Sequence, residues 1–146
     1  MFSLHVLKKP WFSYSQNTLD EITRAISKNI SKQQNGTLNI VFLEAVGIQN
    51  LNKQYRSIDS ATDVLSFHYF DDFSELLESD IAGELVFCEE KIISQGNEYG
   101  LWTEKEFYKL VIHSLLHVLG YDHETDEEYE EMRELEELIW EKVFGK

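Results

Sequence analysis

The stretch HSLLHVLGYDHE, residues 113–124, places three of the chain's five histidines within eleven positions. His113 and His117 are four residues apart, so on a helix they lie on the same face, one turn above the other. Gly120 predicts the end of that helix, because glycine readily adopts the left-handed conformation in which helices often stop. A chain that turns back at this point would bring His123 toward the other two histidines. Three neutral imidazoles with one open position are typical of a catalytic zinc site.

Ordinary helix histidines are the alternative interpretation, and a single pair four residues apart carries little weight. A third histidine six positions further on, after a glycine, favours the metal site. Zinc is the natural choice for three imidazoles without cysteine, and nickel, copper and cobalt also accept imidazole. A water at the open position would have its pKa lowered from ~15.7 toward ~7, so hydrolysis is the expected class of reaction.

The spacing of the three histidines around Gly120 also matches that of metzincin proteases, which need a glutamate directly after the first histidine as general base. Ser114 occupies that position here, and serine does not take a proton from water at neutral pH unaided. The residue type therefore argues against peptidase activity. Carboxylates often orient metal-bound imidazoles, and the acidic candidates for that role are Asp63, Glu84, Asp122 and Glu124. For each of them a surface acid or a loop cap is the favoured interpretation, because the chain is rich in acidic residues.

The composition predicts one packed domain, residues 1–146, because 42% of the residues are hydrophobic and 13% are aromatic. Cys88 is the only cysteine, which excludes an internal disulfide and gives no indication of secretion. The N-terminal apolar run is too short for a signal peptide, and no stretch approaches the ~18 apolar residues of a membrane span. We therefore expect a soluble cytoplasmic protein.

The net charge of -14 is unevenly distributed along the chain. Residues 1–70 carry seven basic and five acidic side chains, whereas residues 71–146 carry six basic and 22 acidic ones. The acidic half would repel a polyanion, so an RNA partner would approach through the basic half or a local patch. The basic residues of the first predicted helix recur every four positions, a pattern that favours a solvated face over a nucleic-acid contact: Arg24, Lys28 and Lys32.

Hydrophobic periodicity predicts a small mixed four-stranded sheet covered by about five helices, an α+β (mixed α/β) fold with the metal site at the end of a central helix. The predicted strands are residues 2–7, 37–43, 61–70 and 81–88. The first predicted helix begins near residue 18. The other four predicted helices cover residues 47–56, 89–98, 102–119 and 126–144.

Local signals refine three of these elements. Thr18 with Glu21, and Thr103 with Glu106, form two capping-box patterns that predict helix starts. Gly83 lies inside a predicted strand, which indicates a bulge or a close approach of another backbone.

Two further blocks accompany the histidine stretch. They are LNKQYRSIDSATDVLSF, residues 51–67, and AGELVFC, residues 82–88. Together with HSLLHVLGYDH they resemble the YbeY family of metal-dependent endoribonucleases, which has an arginine segment, a Gly-Asp-Ile-x-Ile-Cys strand and a histidine signature in the same order. The resemblance spans nearly the whole chain.

This resemblance implies a zinc-dependent endoribonuclease that is specific for single-stranded RNA. It implies roles in ribosomal RNA maturation, chiefly at the small-subunit 3′ end, and in ribosome quality control, with ribosomal RNA and the small subunit as partners. Carried over by position, the metal ligands are His113, His117 and His123, and the catalytic arginine is Arg56. A guanidinium suits a scissile phosphate because it offers a planar fork of donors. Without the resemblance, a structural salt bridge would be the better interpretation of Arg56.

Two positions depart from the family pattern. Ser114 replaces the usual glycine after the first ligand, and His68 stands where the family usually has proline. Neither departure removes a ligand, but both affect the expected shape of the cleft. Two other functions stay open from the sequence: a metal-containing, ribosome-associated assembly factor with little intrinsic catalysis, and a metal-dependent hydrolase of another substrate.

Overall fold

The computed structural model describes residues 1–31, 33–98, 102–121 and 125–145. These residues form a four-stranded sheet and five helices, which confirms the predicted α+β class. In chain order the elements are β1 (Ser3–Val6), α1 (Gln16–Asn29), β2 (Thr37–Leu43), α2 (Ala45–Arg56), β3 (Val64–His68), β4 (Ile81–Cys88), α3 (Glu89–Glu98), α4 (Thr103–Val118) and α5 (Asp126–Phe144).

The sheet is mixed and has the order β1-β2-β4-β3. The first three of these strands are parallel, whereas β3 runs antiparallel to β4 and forms one edge. Side chains of a strand point alternately to the two faces, and β4 shows this directly. Leu85 and Phe87 contribute to a large core on one face, and Val86 and Cys88 contribute to a smaller core on the other.

Helices α1, α4 and α5 pack together against the large core, and α2 packs on the opposite face. The apolar spacing of α1 explains its placement, since Leu19, Ile22 and Ile26 lie on one side of the helix and are fully buried. Ile48 anchors α2 in the smaller core against Leu65. Helix α4 is the most buried helix of the described chain, so it is the central element that the sequence predicts.

Gly83 confirms the predicted irregularity of β4. Thr37 of β2 pairs with Ile81 and the next residue, Leu38, pairs with Gly83, so Ala82 is an extra residue in β4. A Cβ atom at position 83 would overlap the carbonyl oxygen of Phe67 on β3. Only glycine lets the edge strand approach β4 this closely.

Both predicted capping boxes are wrong. Helix α1 begins earlier than Thr18, because the Ser15 hydroxyl accepts a hydrogen bond from the Thr18 N–H at 3.2 Å and is the N-cap. Helix α4 has Trp102 at the N-cap and no side-chain cap bond. The Glu106 side chain makes no cap bond and is instead buried. Within the described residues, no helix is long and apolar enough to cross a membrane.

Candidate active site

The end of α4 is formed as the glycine predicts. Gly120 has φ +103, in the left-handed region. The N–H of Gly120 donates to the His117 carbonyl at 3.1 Å, and the N–H of Tyr121 donates to the Leu116 carbonyl at 3.0 Å. These two bonds form a Schellman motif, which satisfies carbonyls that the helix end would otherwise leave unbonded. The chain therefore turns sharply, just after the two helix histidines.

A cleft of 940 Å³ lies beside α4. It extends along the edge strand β3, and most of its lining comes from α4, from the last turn of α2 and from residues 62–67, with Gln95 of α3 and Glu136 of α5 completing it. Its lining includes His113, His117 and Arg56. The structure thus brings together three of the four predicted site residues. The fourth, His123, lies outside the described residues.

His113 is held by a carboxylate that no sequence motif indicates. Its Nδ1 lies 2.9 Å from Oε1 of Glu136 on α5. This hydrogen bond is the largest cause of the raised pKa of His113, while burial opposes it and the charges of Glu136 and Asp63 add to it. Because Nδ1 bonds the carboxylate, a metal would bind the other ring nitrogen, Nε2. Such a carboxylate–histidine pair fixes the ring orientation of a metal ligand.

The two imidazoles that the structure describes fit a transition metal as ligands. His113 and His117 lie one turn apart on α4 and line the same cleft. Within the described ranges no three His, Cys, Asp or Glu side chains form a group that could hold a metal ion. The predicted third ligand would have to supply the missing donor. Imidazoles oriented by carboxylates suit zinc.

Arg56 is the last residue of α2, and its side chain is exposed at the cleft. Ser57 follows in the left-handed conformation with φ 59, and its N–H donates to the Lys53 carbonyl at 3.2 Å. This helix end sets the direction in which Arg56 leaves the fold. No ion pair of Arg56 occurs in the part of the chain that the structure describes. Among the described residues, Arg56 thus does not form the structural salt bridge that was the alternative interpretation of this side chain.

Two buried polar side chains of α4 also line the cleft. Glu106 and Ser114 are each 1% exposed, and among the described residues Oε2 of Glu106 and Oγ of Ser114 have no hydrogen-bond partner. Burial is the main cause of the raised pKa of Glu106. The charge of Asp63 raises it further, and the charge of Lys109 opposes it. The capping-box pattern explained Glu106 by a local role at the helix start. The sequence therefore did not predict that this side chain lines the cleft.

The other acidic candidates divide into three groups. Asp63 lines the cleft near α4. Glu84 instead accepts a hydrogen bond from the Tyr69 hydroxyl at 2.7 Å. Asp122 and Glu124 lie outside the described residues. Of these candidates, Asp63 is the one that the described structure places at the cleft.

His68, at the position where the family usually has proline, makes a local contact at the end of β3. Its Nδ1 lies 3.1 Å from the carbonyl oxygen of Phe70. A hydrogen bond across two residues restrains the chain where a proline ring would do so by its fixed φ.

Comparison with known proteins gives concordant matches. A family model described as endoribonuclease YbeY matches residues 8–143. An endoribonuclease YbeY from Syntrophomonas wolfei is 37% identical over 134 residues, covering 88% of this chain and 86% of its own. One from Clostridioides difficile is 42% identical over 111 residues, covering 75% and 72%. The solution structure of TM1509 from Thermotoga maritima has a TM-score of 0.60 and 29% identity, covering 99% of this chain and 90% of its own.

Proposed function

Because the chain belongs to the endoribonuclease YbeY family, we propose that it is a metal-dependent endoribonuclease that cuts single-stranded RNA in the cleft beside α4. One observation carries this proposal: a single cleft is lined by two imidazoles of a predicted metal site and by an arginine without an ion pair among the described residues. Phosphodiester hydrolysis needs an activated water and a cation that stabilises charge on the phosphoryl oxygens.

Arg56 supplies the cation in this proposal. Its guanidinium is always charged and offers paired donors to two phosphate oxygens. Arg56 lines the same cleft as His113 and His117, so the scissile phosphate would lie between the arginine and the imidazoles. The exposure of Arg56 supports this role, because the side chain can reach a ligand without first breaking an ion pair within the described structure.

Zinc is the proposed cofactor, with His113, His117 and His123 as its ligands. When bound, the metal would supply a Lewis acid that polarises a phosphoryl oxygen and acidifies a water molecule. The protein's contribution is orientation: Glu136 fixes the ring of His113, and α4 keeps His117 one turn away on the same side.

Ribosomal RNA is the proposed substrate, with maturation of the small-subunit 3′ end and ribosome quality control as the proposed roles. The sequence resemblance supports these roles. The charge distribution is compatible with them, because Arg56 belongs to the basic half of the chain, whereas α5 is strongly acidic. An RNA strand would therefore enter the cleft from the side of α2 and β3, where Arg56 lies, and not across the exposed acidic face of α5.

The test is cleavage of labelled single-stranded and double-stranded RNA by zinc-loaded protein. We expect the single strand to be cut, the duplex to be spared, and His117→Ala to abolish cutting. His5→Ala is the matched control, since His5 is an exposed histidine on β1 outside the cleft. If the wild type and His117→Ala cleaved the RNA to the same extent, or both left it uncut, the nuclease proposal would be refuted. RNA binding without cutting would instead favour an assembly factor with little turnover.

A second assay addresses the proposed substrate. Precursor small-subunit RNA with an unprocessed 3′ end is incubated, within assembled particles, with the zinc-loaded protein. We expect cuts near the mature 3′ end, mapped by primer extension or end sequencing. Cuts scattered along the RNA would support the nuclease and argue against the maturation role.

A further inference from the structure

Two aromatic side chains form one wall of the cleft. Tyr55, next to Arg56 at the end of α2, and Phe67 of β3 both line it. Their ring centroids are 5.4 Å apart and their planes meet at 72°. Phe67 packs against the smaller core, whereas Tyr55 is 61% exposed. The partly buried Phe67 ring thus supports the exposed Tyr55 ring from one side.

The geometry leaves room for a flat ligand. In an edge-to-face pair one ring presents only its edge to the other. Beside this contact with Phe67, Tyr55 remains 61% exposed, so the residue is largely open to solvent. A single exposed aromatic side chain on a convex surface needs no explanation, whereas one that lines a cleft indicates a binding site.

A third aromatic lies just beyond the residues that line the cleft, on the same face of the sheet as Phe67. The Tyr69 N–H donates to the Ala82 carbonyl at 2.8 Å, so the chain stays extended just beyond β3. Side chains two residues apart on a strand share a face, which places Tyr69 on the side of Phe67. The Tyr69 hydroxyl is fixed by Glu84, and the ring is 55% exposed.

We propose that Tyr55, supported by Phe67, is a subsite for one unpaired base of the RNA, next to the phosphate held by Arg56, and that Tyr69 extends this stacking surface. The inference rests on the proposed function and names how the substrate is held. Bases and phosphates alternate along a strand, and neighbouring side chains Tyr55 and Arg56 would bind one of each. Base stacking on aromatic rings is tolerant of sequence.

The subsite explains a preference for single strands. A base reaches an aromatic ring only when it is splayed out of its own stack, as in loops and unpaired ends. A duplex keeps its bases stacked and paired, so it would present only phosphates to this wall. Arg56 alone would bind single-stranded and duplex RNA alike, whereas the Tyr55 ring would favour the single strand.

The experiment measures binding of an RNA of about ten nucleotides, within the usual site size of single-strand binders, to zinc-loaded protein by fluorescence anisotropy in the cold, with a gel to verify intact RNA. We expect Tyr55→Ala to weaken binding about tenfold. Tyr55→Phe should bind within about twofold of the wild type, because the ring is retained. Tyr129→Ala is the matched control, since Tyr129 is 54% exposed on α5 and outside the cleft.

A set of RNAs, each with one abasic position, separates stacking from a structural role. For the wild type, we expect one abasic position to lower affinity about as much as Tyr55→Ala does, and the two losses not to add. The abasic series on the wild type also tests the proposal if Tyr55→Ala fails to fold. Equal affinity of all abasic RNAs for the wild type, or full affinity of Tyr55→Ala, would overturn the subsite.

The outcome also separates this inference from the nuclease proposal, because binding is measured independently of cutting. Base-dependent binding through Tyr55 without any cleavage would leave the subsite standing and remove the nuclease. Cleavage by the wild type with unchanged binding and cleavage by Tyr55→Ala would remove the subsite alone.

Discussion

His113 on α4 and Glu136 on α5 are joined by a hydrogen bond of 2.9 Å between Nδ1 and Oε1. The two residues are 23 positions apart, and the pair is only partly buried, with side-chain exposures of 37% and 29%. The bond therefore does more to orient the imidazole than to stabilise the fold, because partly exposed ion pairs contribute little stability. The position of α5 consequently determines the direction in which His113 faces the cleft.

The first prediction concerns this pair. Glu136→Gln keeps the shape of the side chain but removes its charge, and we expect zinc affinity to fall about 10- to 100-fold, as for other partners of metal-bound histidines. Competition with a fluorescent zinc chelator measures the change. Glu137→Gln is the control, because Glu137 bonds Arg133 at the surface. Equal zinc affinity of wild type and Glu136→Gln would contradict the orienting role.

The second prediction concerns the shape of the cation at position 56. Arg56→Lys keeps the charge but loses the planar fork of donors, so we expect kcat for RNA cleavage to fall about 10²-fold, comparable to loss of one donor to a developing oxyanion. Zinc affinity should not change. Lys53→Ala is the control, since Lys53 is an exposed cation on the same helix and outside the cleft. A fully active Arg56→Lys would show that charge alone suffices.

The third prediction concerns the pH dependence of stability. The pKa of Glu106 is raised chiefly by burial, so the folded protein holds this proton to a higher pH than the unfolded chain does. The associated stability is present below the ordinary glutamate pKa and is lost as pH rises through the raised pKa. The glutamine of Glu106→Gln cannot ionise, so the Tm of this variant should change less with pH between the ordinary and the raised pKa of glutamate.

At pH 7 we expect Glu106→Gln to be more stable by about 1 kcal/mol, which corresponds to a Tm about 2–4 °C higher. The substitution removes a buried charge whose Oε2 has no hydrogen-bond partner among the described residues and whose Oε1 lies 4.0 Å from Lys109 Nζ. Thermal unfolding followed by circular dichroism from pH 4 to pH 8 measures both effects. Glu134→Gln, on the exposed surface of α5, should behave as the wild type. A lower Tm for Glu106→Gln at pH 7 would mean that the charged form is stabilised in the fold.

The fourth prediction compares two glycines. Gly83→Ala places a Cβ onto the Phe67 carbonyl oxygen, and we expect it to destabilise the protein by about 3 kcal/mol. Gly47→Ala adds a Cβ on α2 at an ordinary distance of 3.6 Å from Leu43, so it should stabilise by about 0.5–1 kcal/mol. Chemical denaturation gives both values. A Gly83→Ala variant as stable as the wild type would show that β3 can move away from β4.

The sequence predicted those features that depend on neighbouring residues. The spacing of His113 and His117, the helix end at Gly120 and the close approach at Gly83 each follow from local geometry. The family motifs then connected Arg56 with the histidines, and these three residues line one cavity.

Features that depend on packing between distant elements were not predictable in this way. Glu136 is one of many acids on α5, and only the packing of α5 on α4 selects it as the partner of His113. Tyr55 acquires its setting only when β3 brings Phe67 beside it. The start of α1 was missed because Ser15 and Thr18 are both good N-cap residues, and nothing local decides between them.

The link between α4 and α5 also has a consequence for synthesis of the protein. During translation His113 and His117 leave the ribosome before Glu136 does, because synthesis proceeds from the N-terminus. A growing chain that still lacks α5 would hold its histidines without the carboxylate that orients one of them. At the proposed zinc site the nascent chain would therefore bind the metal weakly, and the nuclease would gain its full activity only after α5 has folded onto α4.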